Sequence, residues 1–462
     1  MFLSLIKKEI VNNVLSLRFI ITFALFFVLI QLSTFMLTST YDEAVRTYQA
    51  SKSSHRDQLS SLKGREDQDQ QFHDSIIEGG GIYGDRPPQP LSIFVHGLEI
   101  DLPVQVNADI WNSRRINEEF YRNPLFVLFA TPDFSYIVNI VVSLLSLLFV
   151  FDAICGEKER GTLKQVLANS VPRDLVLLSK WIGGYITLIF PFLVAFFGGV
   201  TYVYFAGTIQ LTGETVERLL WIVGLSLLYI SLFFTLGMLI SSLTHKASTA
   251  LLFSLFVWVC WILVIPNLAP VLARVLSPVP TLQKINAEKE AVNRETEIRQ
   301  DRVGRNMLGY GSKAQDMRDK IEQDGGNRKR KLDKFYQDRL QAQIELSKNL
   351  SRLSPSASFT FALTDMAHTG LGLFSGFKHS VKRFDGEYRQ WGRDWHDRFH
   401  QEDGKQLEEN WFQMDLIPSL KPTASHLDDT IDAVLMDVLL LTVFNILFFM
   451  LSYLFFLRYD VT

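Results

Sequence analysis

Six strongly apolar runs punctuate the chain, at 19–38, 132–152, 177–205, 219–243, 247–272 and 431–457. A helix needs about 20 mostly apolar residues to cross a hydrocarbon core, so each run predicts one membrane span. The first run is too long for a signal-peptide core, and no small-x-small cleavage site follows it closely. Ahead of it, Leu3, Ile6, Ile10, Val14 and Leu17 recur at helical spacing with Lys7, Lys8 and Glu9 between them. That pattern predicts an amphipathic helix over 1–17, lying in the membrane interface.

Two polar stretches separate the runs. Residues 39–131 begin helix-prone as far as Gln71, then meet Gly79-Gly80-Gly81 and Pro87-Pro88-Gln89-Pro90, which break a helix. Loose alternation over 91–106 predicts short strands. Residues 273–430 are dense in charge, and Leu332, Tyr336, Leu340 and Ile344 stand four apart. They predict a helical hairpin broken near Asp324-Gly325-Gly326. The run from Gly370 to Lys378 reads as a flexible or interfacial turn. The fold class is therefore an all-α polytopic membrane protein with six transmembrane helices. A mainly helical extracytoplasmic domain and a smaller mixed one complete it.

Charge orients the spans. Lys7, Lys8 and Arg18 precede the first run; Lys158, Arg160, Lys164, Arg173 and Lys180 follow the second; His245 and Lys246 follow the fourth; Arg458 follows the sixth. With six spans all of these fall on one side, which the positive-inside rule makes cytoplasmic. Both termini and the segment 153–176 then lie inside, and the two long segments lie outside. The net charge of −3 offers no basic field for nucleic acid. Cys155 and Cys260 sit in or beside apolar runs, so no disulfide staples the polar segments.

The most informative motif is Glu157-Lys158-Glu159-Arg160-Gly161-Thr162, a charged, glycine-broken turn directly after the second run. Its position suits docking of a cytoplasmic partner. Together with Leu167 to Arg173, Asn123-Pro124-Leu125, Arg352-Leu353-Ser354-Pro355, Phe359, Ala362 and the ending from Phe456 to Val461, it resembles the type-2 ABC transporter permeases. The resemblance extends to the subgroup with large extracytoplasmic insertions after the first and fifth spans. It implies two permeases facing each other, a second copy or a sister chain, above two ABC ATP-binding subunits. Glu157, Lys158, Glu159, Arg160, Gly161 and Thr162 then match the family's ATPase-coupling helix. ATP and magnesium belong to the partner, because this chain carries no G-x-x-x-x-G-K-[ST] motif. No cofactor and no catalytic residue is expected on this chain. An exporter permease is the leading reading, and a machine passing ATPase motion to an extracytoplasmic partner is the alternative.

Several polar residues inside the runs are candidates for the path or dimer face. Ser135, Asn139, Ser143 and Ser146 line one helix face of the second run, which lipid disfavours; a dimer or pore face and packing within one subunit account for it equally well. Gln31, Trp258 and Asp437 join them; an ionisable group such as Asp437 inside a span is a functional candidate by default. His396 and His400 stand four apart, with a similar pair at Asp365 and His368. Neither has a third metal ligand in sequence, and a hydrated amphipathic helix is the better reading of 394–400.

Overall fold

The computed structural model describes residues 2–61, 71–77, 81–99, 102–109, 133–168, 172–306, 311–401, 416–422 and 426–458. Gly79, Gly80, Asn123, Pro124, Leu125 and residues 459–461 lie outside these, as does the side chain of His400. Described residues up to Pro266 and from Ser354 onward form one compact unit, and Asn267–Leu353 a second.

Helix α1 (Phe2–Val14) is followed by α2 (Leu17–Ser60), started by the Ser16 side chain accepting from Phe19 N. The helix α2 is twice the length of the first apolar run, because its polar continuation keeps helix-forming residues with no Gly or Pro. A short antiparallel pair follows, β1 (Ile82–Asp85) on β2 (Gln105–Ala108), with Ile82 opposite Ala108. Between them Pro90–Ile93 forms a 3-10 turn, where a strand was expected. The second span comprises Phe134–Tyr136, a π stretch Ile137–Val142 and Ser143–Val150, together α3. Then come α4 (Cys155–Arg160), α5 (Thr162–Ala168), α6 (Arg173–Ala206), α7 (Gly213–Leu243) and α8 (Ala247–Leu276), the last interrupted by a π stretch at Cys260–Val264. The second unit holds α9 (Leu282–Asn306) and α10 (Gly311–Ser351). The chain ends with α11 (Pro355–Met366), α12 (Leu371–Gln401) and α13 (Leu427–Leu457).

Among the described residues six helical stretches are long and apolar enough to cross a membrane; five of the apolar runs lie inside one each, and the second run starts two residues ahead of its stretch, Phe134–Arg160. Their shared core includes Phe26, Phe134, Phe192, Phe196, Tyr229, Phe233, Phe234 and Phe359. Glycines set the close approaches: a Cβ on Gly183 of α6 would meet the Cβ of Glu9 of α1 at 2.7 Å, and one on Gly237 of α7 would meet Val150 of α3 at 2.5 Å. Small residues at such crossings let backbones approach where lipid provides no hydrophobic drive.

Three expectations change. The segment 273–430 is not one extracytoplasmic block, since α11 packs into the bundle core with Phe359, Ala362, Leu363 and Met366 buried. At 12 residues it is too short to read as a span. Gly325 does not break a hairpin: α10 runs through it, because the missing side chain lets Thr296 of α9 come within 2.5 Å of where a Cβ would stand. And 371–378 is the first part of helix α12, packed through Leu373 and Phe377 into a second core with Phe72, Val381, Phe384 and Tyr388.

Candidate functional site

Helix α4 begins where α3 ends, and a residue from another span starts it. Ile154 N and Cys155 N both donate to the buried Ser241 Oγ of α7, each at 3.0 Å. These amides lie at the start of α4, where no intrahelical acceptor is available, so α7 supplies the cap. At its other end Gly161 adopts φ +73°, the left-handed conformation that closes a helix and that glycine adopts without steric cost. Nothing lies within 4 Å of a Cβ built there, so backbone conformation, and not crowding, selects glycine.

The charges of α4 are turned largely inward. Glu157 Oε1 accepts from Lys180 Nζ of α6 at 2.7 Å, and the same Nζ reaches Glu9 Oε1 of α1 at 3.3 Å. Lys158 Nζ donates to the carbonyls of Ser242 and Thr244 at the end of α7. A cation there satisfies orphan carbonyls and complements the helix dipole. Glu159 Oε2 accepts from Ala247 N at 3.0 Å, the matching arrangement of an acid at the start of α8. Arg160 Nε donates to Gly156 O at 3.1 Å. Just upstream, Arg18 of α2 grips Asp152 with two hydrogen bonds of 2.8 Å. So Asp152, Glu157, Lys158, Glu159 and Ser241 bind α4 and its approach to α2, α6, α7 and α8, and Lys180 extends the link to α1. What remains exposed is a short elbow: Glu159, Arg160, Gly161, Thr162, Lys164 and Gln165, with Leu163 buried beneath it.

The candidate path residues occupy a different place. Asn139 Oδ1 accepts from Tyr229 Oη of α7 at 2.6 Å and from Ser356 Oγ of α11 at 2.7 Å. Ser143 Oγ donates to Asn139 O and accepts from Trp258 Nε1 at 2.9 Å. Ser146 Oγ donates to Val142 O at 2.6 Å. Gln31 Nε2 donates to Ala195 O of α6 at 2.7 Å, and Asp437 is buried. Asn139, Ser143 and Trp258 are therefore linked inside the subunit, with Asn139 bonded directly to α11, and Ser146 is buried within its own helix ladder. Ser354 Oγ, the N-cap of α11, donates to Trp261 O in the π stretch of α8. The π stretches of α3 and α8 each hold a carbonyl used outside its own ladder, Asn139 O by Tyr229 Oη at 3.3 Å and Trp261 O by Ser354. The wider turn is what frees them.

Sequence reasoning missed Asp152, Ser241, Tyr229 and Ser356. Only Lys180 carried a signal, as a charge at the edge of an apolar run. His396 Nδ1 faces His73 Nε2 at 3.1 Å, and His73 Nδ1 faces Asp74 Oδ1 at 3.1 Å. Among the described residues no group of three or more His, Cys, Asp or Glu is arranged to hold a metal. Asp365 Oδ1 accepts from Gly372 N at 3.2 Å, at the start of α12.

A protein-family model described as ABC-2 family transporter protein matches residues 3–461. No curated protein matches the chain.

Proposed function

The chain belongs to the ABC-2 transporter family, as a multi-pass membrane permease component of an ABC transporter, and from that premise we propose that it is the permease of an exporter driven through α4 and α5. The family generally works with ABC ATP-binding subunits. In this reading two such subunits, carrying ATP and magnesium, dock from the cytoplasm on the elbow of Arg160, Gly161, Thr162 and Lys164. A second permease, a copy or a sister, completes the path. The supporting observation is the way α4 and the turn before it are tied to α2, α6, α7 and α8 by Glu157, Lys158, Glu159, Asp152 and Ser241, and through Lys180 to α1. A push on the exposed elbow is delivered through these bonds to α1, α2, α6, α7 and α8 together. The docking charges are then Arg160 and Lys164, and Glu157 transmits. Charge at such a contact gives register more than affinity.

The test is affinity capture of the full chain from native membranes in mild detergent, with mass spectrometry of what accompanies it. An ABC ATPase should be recovered with the wild type and lost with Arg160→Glu/Lys164→Glu. Glu157→Gln should keep the ATPase and lose substrate-dependent ATP hydrolysis. If wild type captures no ATPase, docking at the elbow is wrong. Helices α9 and α10, 25 and 41 residues long and largely polar, favour a second reading, transmission of ATPase motion to an extracytoplasmic protein. Reconstituted vesicles that hydrolyse ATP but move no solute, with α10 crosslinked to a partner, would select it.

A further inference from the structure

Beside the elbow lies a second exposed segment, the turn from α7 to α8: Thr244, His245 and Lys246. Helix α4 clasps it from both ends. Lys158 Nζ donates to Ser242 O, and to Thr244 O at 3.3 Å, while Glu159 Oε2 accepts from Ala247 N at 3.0 Å. Two neighbouring residues of one short helix therefore hold the end of α7 and the start of α8. Lys246 is the residue that this arrangement leaves unexplained. It is the N-cap of α8, with φ −119° and ψ 137°, and makes no side-chain cap bond. An N-cap is usually Ser, Thr, Asp or Asn, because its side chain must accept from the first amides. Lysine carries only donors, and its charge opposes the positive end of the helix dipole. Glu159 supplies the missing acceptor from another helix, which makes the lysine tolerable but gives it no partner. Lys246 is exposed, and among the described residues no hydrogen bond or ion pair reaches its ammonium. The same is true of Lys164 in the elbow, and Arg160 bonds only to Gly156 O.

A local rule broken with no gain inside the chain points to a use outside it. The positive-inside rule accounts for the sign of these charges, but topology needs no clasp between the segments that carry them. A lipid phosphate meets a lysine wherever its long stem snorkels. Cations held on two segments bonded to each other offer a fixed pattern, and a folded partner of opposite charge is what reads a fixed pattern. We propose that the α7–α8 turn is a second docking element beside the elbow, and that Lys246, with Arg160 and Lys164, meets a cluster of Asp and Glu side chains on the ABC ATP-binding subunit. This contact presupposes the ATPase reading above and adds to it a point of attachment beyond α4 and α5. Through it the partner bears on α7 and α8 directly, as well as by way of Lys158 and Glu159.

The full chain is captured from native membranes in mild detergent and treated with a water-soluble carbodiimide, which joins an amine to a carboxylate only where the two touch. Mass spectrometry should find a peptide containing Lys246 joined to an Asp or Glu of the captured ATPase. Lys246→Ser installs a better N-cap and removes the charge. It should raise the thermal midpoint of the chain and still lower ATPase recovery, by about fivefold or more. A merely structural lysine would not separate those two readouts. Lys246→Arg should keep recovery, and so should Lys8→Glu, a charge reversal on α1 outside this face. If the wild type recovers an ATPase with no crosslink at Lys246 and Lys246→Ser recovers as much, the turn is no docking element, and the elbow reading stands. If the wild type recovers no ATPase, both readings fall. Unchanged recovery in Lys246→Ser together with weakened binding of short-chain phosphatidylglycerol overturns the proposal in favour of an anionic lipid.

Discussion

His368 holds a left-handed backbone, φ +58°, unusual for a residue other than glycine. It lies beside Arg218 and Glu214, and burial, reinforced by Arg218 and opposed by Glu214, lowers its pKa below the ordinary histidine value. A lowered pKa means the fold prefers the neutral ring. The contribution to stability is then complete above about pH 6.5 and is lost as pH falls through the folded-state value. His368→Asn keeps a residue that tolerates the left-handed conformation and removes the titration. Thermal unfolding of wild type should drop more steeply between about pH 7 and pH 5 than that of His368→Asn; parallel curves would refute this. Little at this scale was legible in sequence. The motif around Glu157 could be found, but its direction could not: the residues that take up its charges, Lys180, Ser242 and Ala247, come from three other helices.

At the scale of elements the six apolar runs were legible because length and hydropathy are properties of each segment alone. Helix α11 was not, because its Ser, Thr and Ala residues become core only through Asn139, Tyr229 and Trp261 on other spans. The Gly325-Gly326 pair shows the same limit within one helix. Glycine is about 1 kcal/mol worse than alanine in a helix interior, so the pair reads as a break. A Cβ on Gly325 would clash with Thr296, whereas one on Gly326 meets nothing within 4 Å. Gly326→Ala should therefore stabilise by up to about 1 kcal/mol. Gly325→Leu should destabilise by roughly 1–2 kcal/mol, overpacking outweighing propensity. Hydrogen exchange of α9 and α10 amides reads both, and equal signs for the two variants would contradict the packing argument.

For the whole molecule the decisive group is Lys180, 8% exposed and shared between Glu9 and Glu157. Lys180→Met would strand two carboxylates, one of which, Glu157, already has Oε2 buried without a partner. The expected loss is about 2 kcal/mol, less than for a fully buried pair because both acids retain some exposure. Adding Glu157→Gln should recover part of it, as contacting residues couple in a double-mutant cycle; denaturation in detergent measures this, and strict additivity would exclude the shared role. The placement of α11 has a consequence of another kind, in time. Its partners include α13, which is synthesised after it and against which it packs closely. A ribosome releases α11 before that wall exists, and at 12 residues it is not an insertion signal of its own. The first five spans must therefore wait with an unfilled slot lined by Asn139 and Tyr229. The slot closes only once α13 has been made, so this part of the bundle is completed after its first five spans are in place.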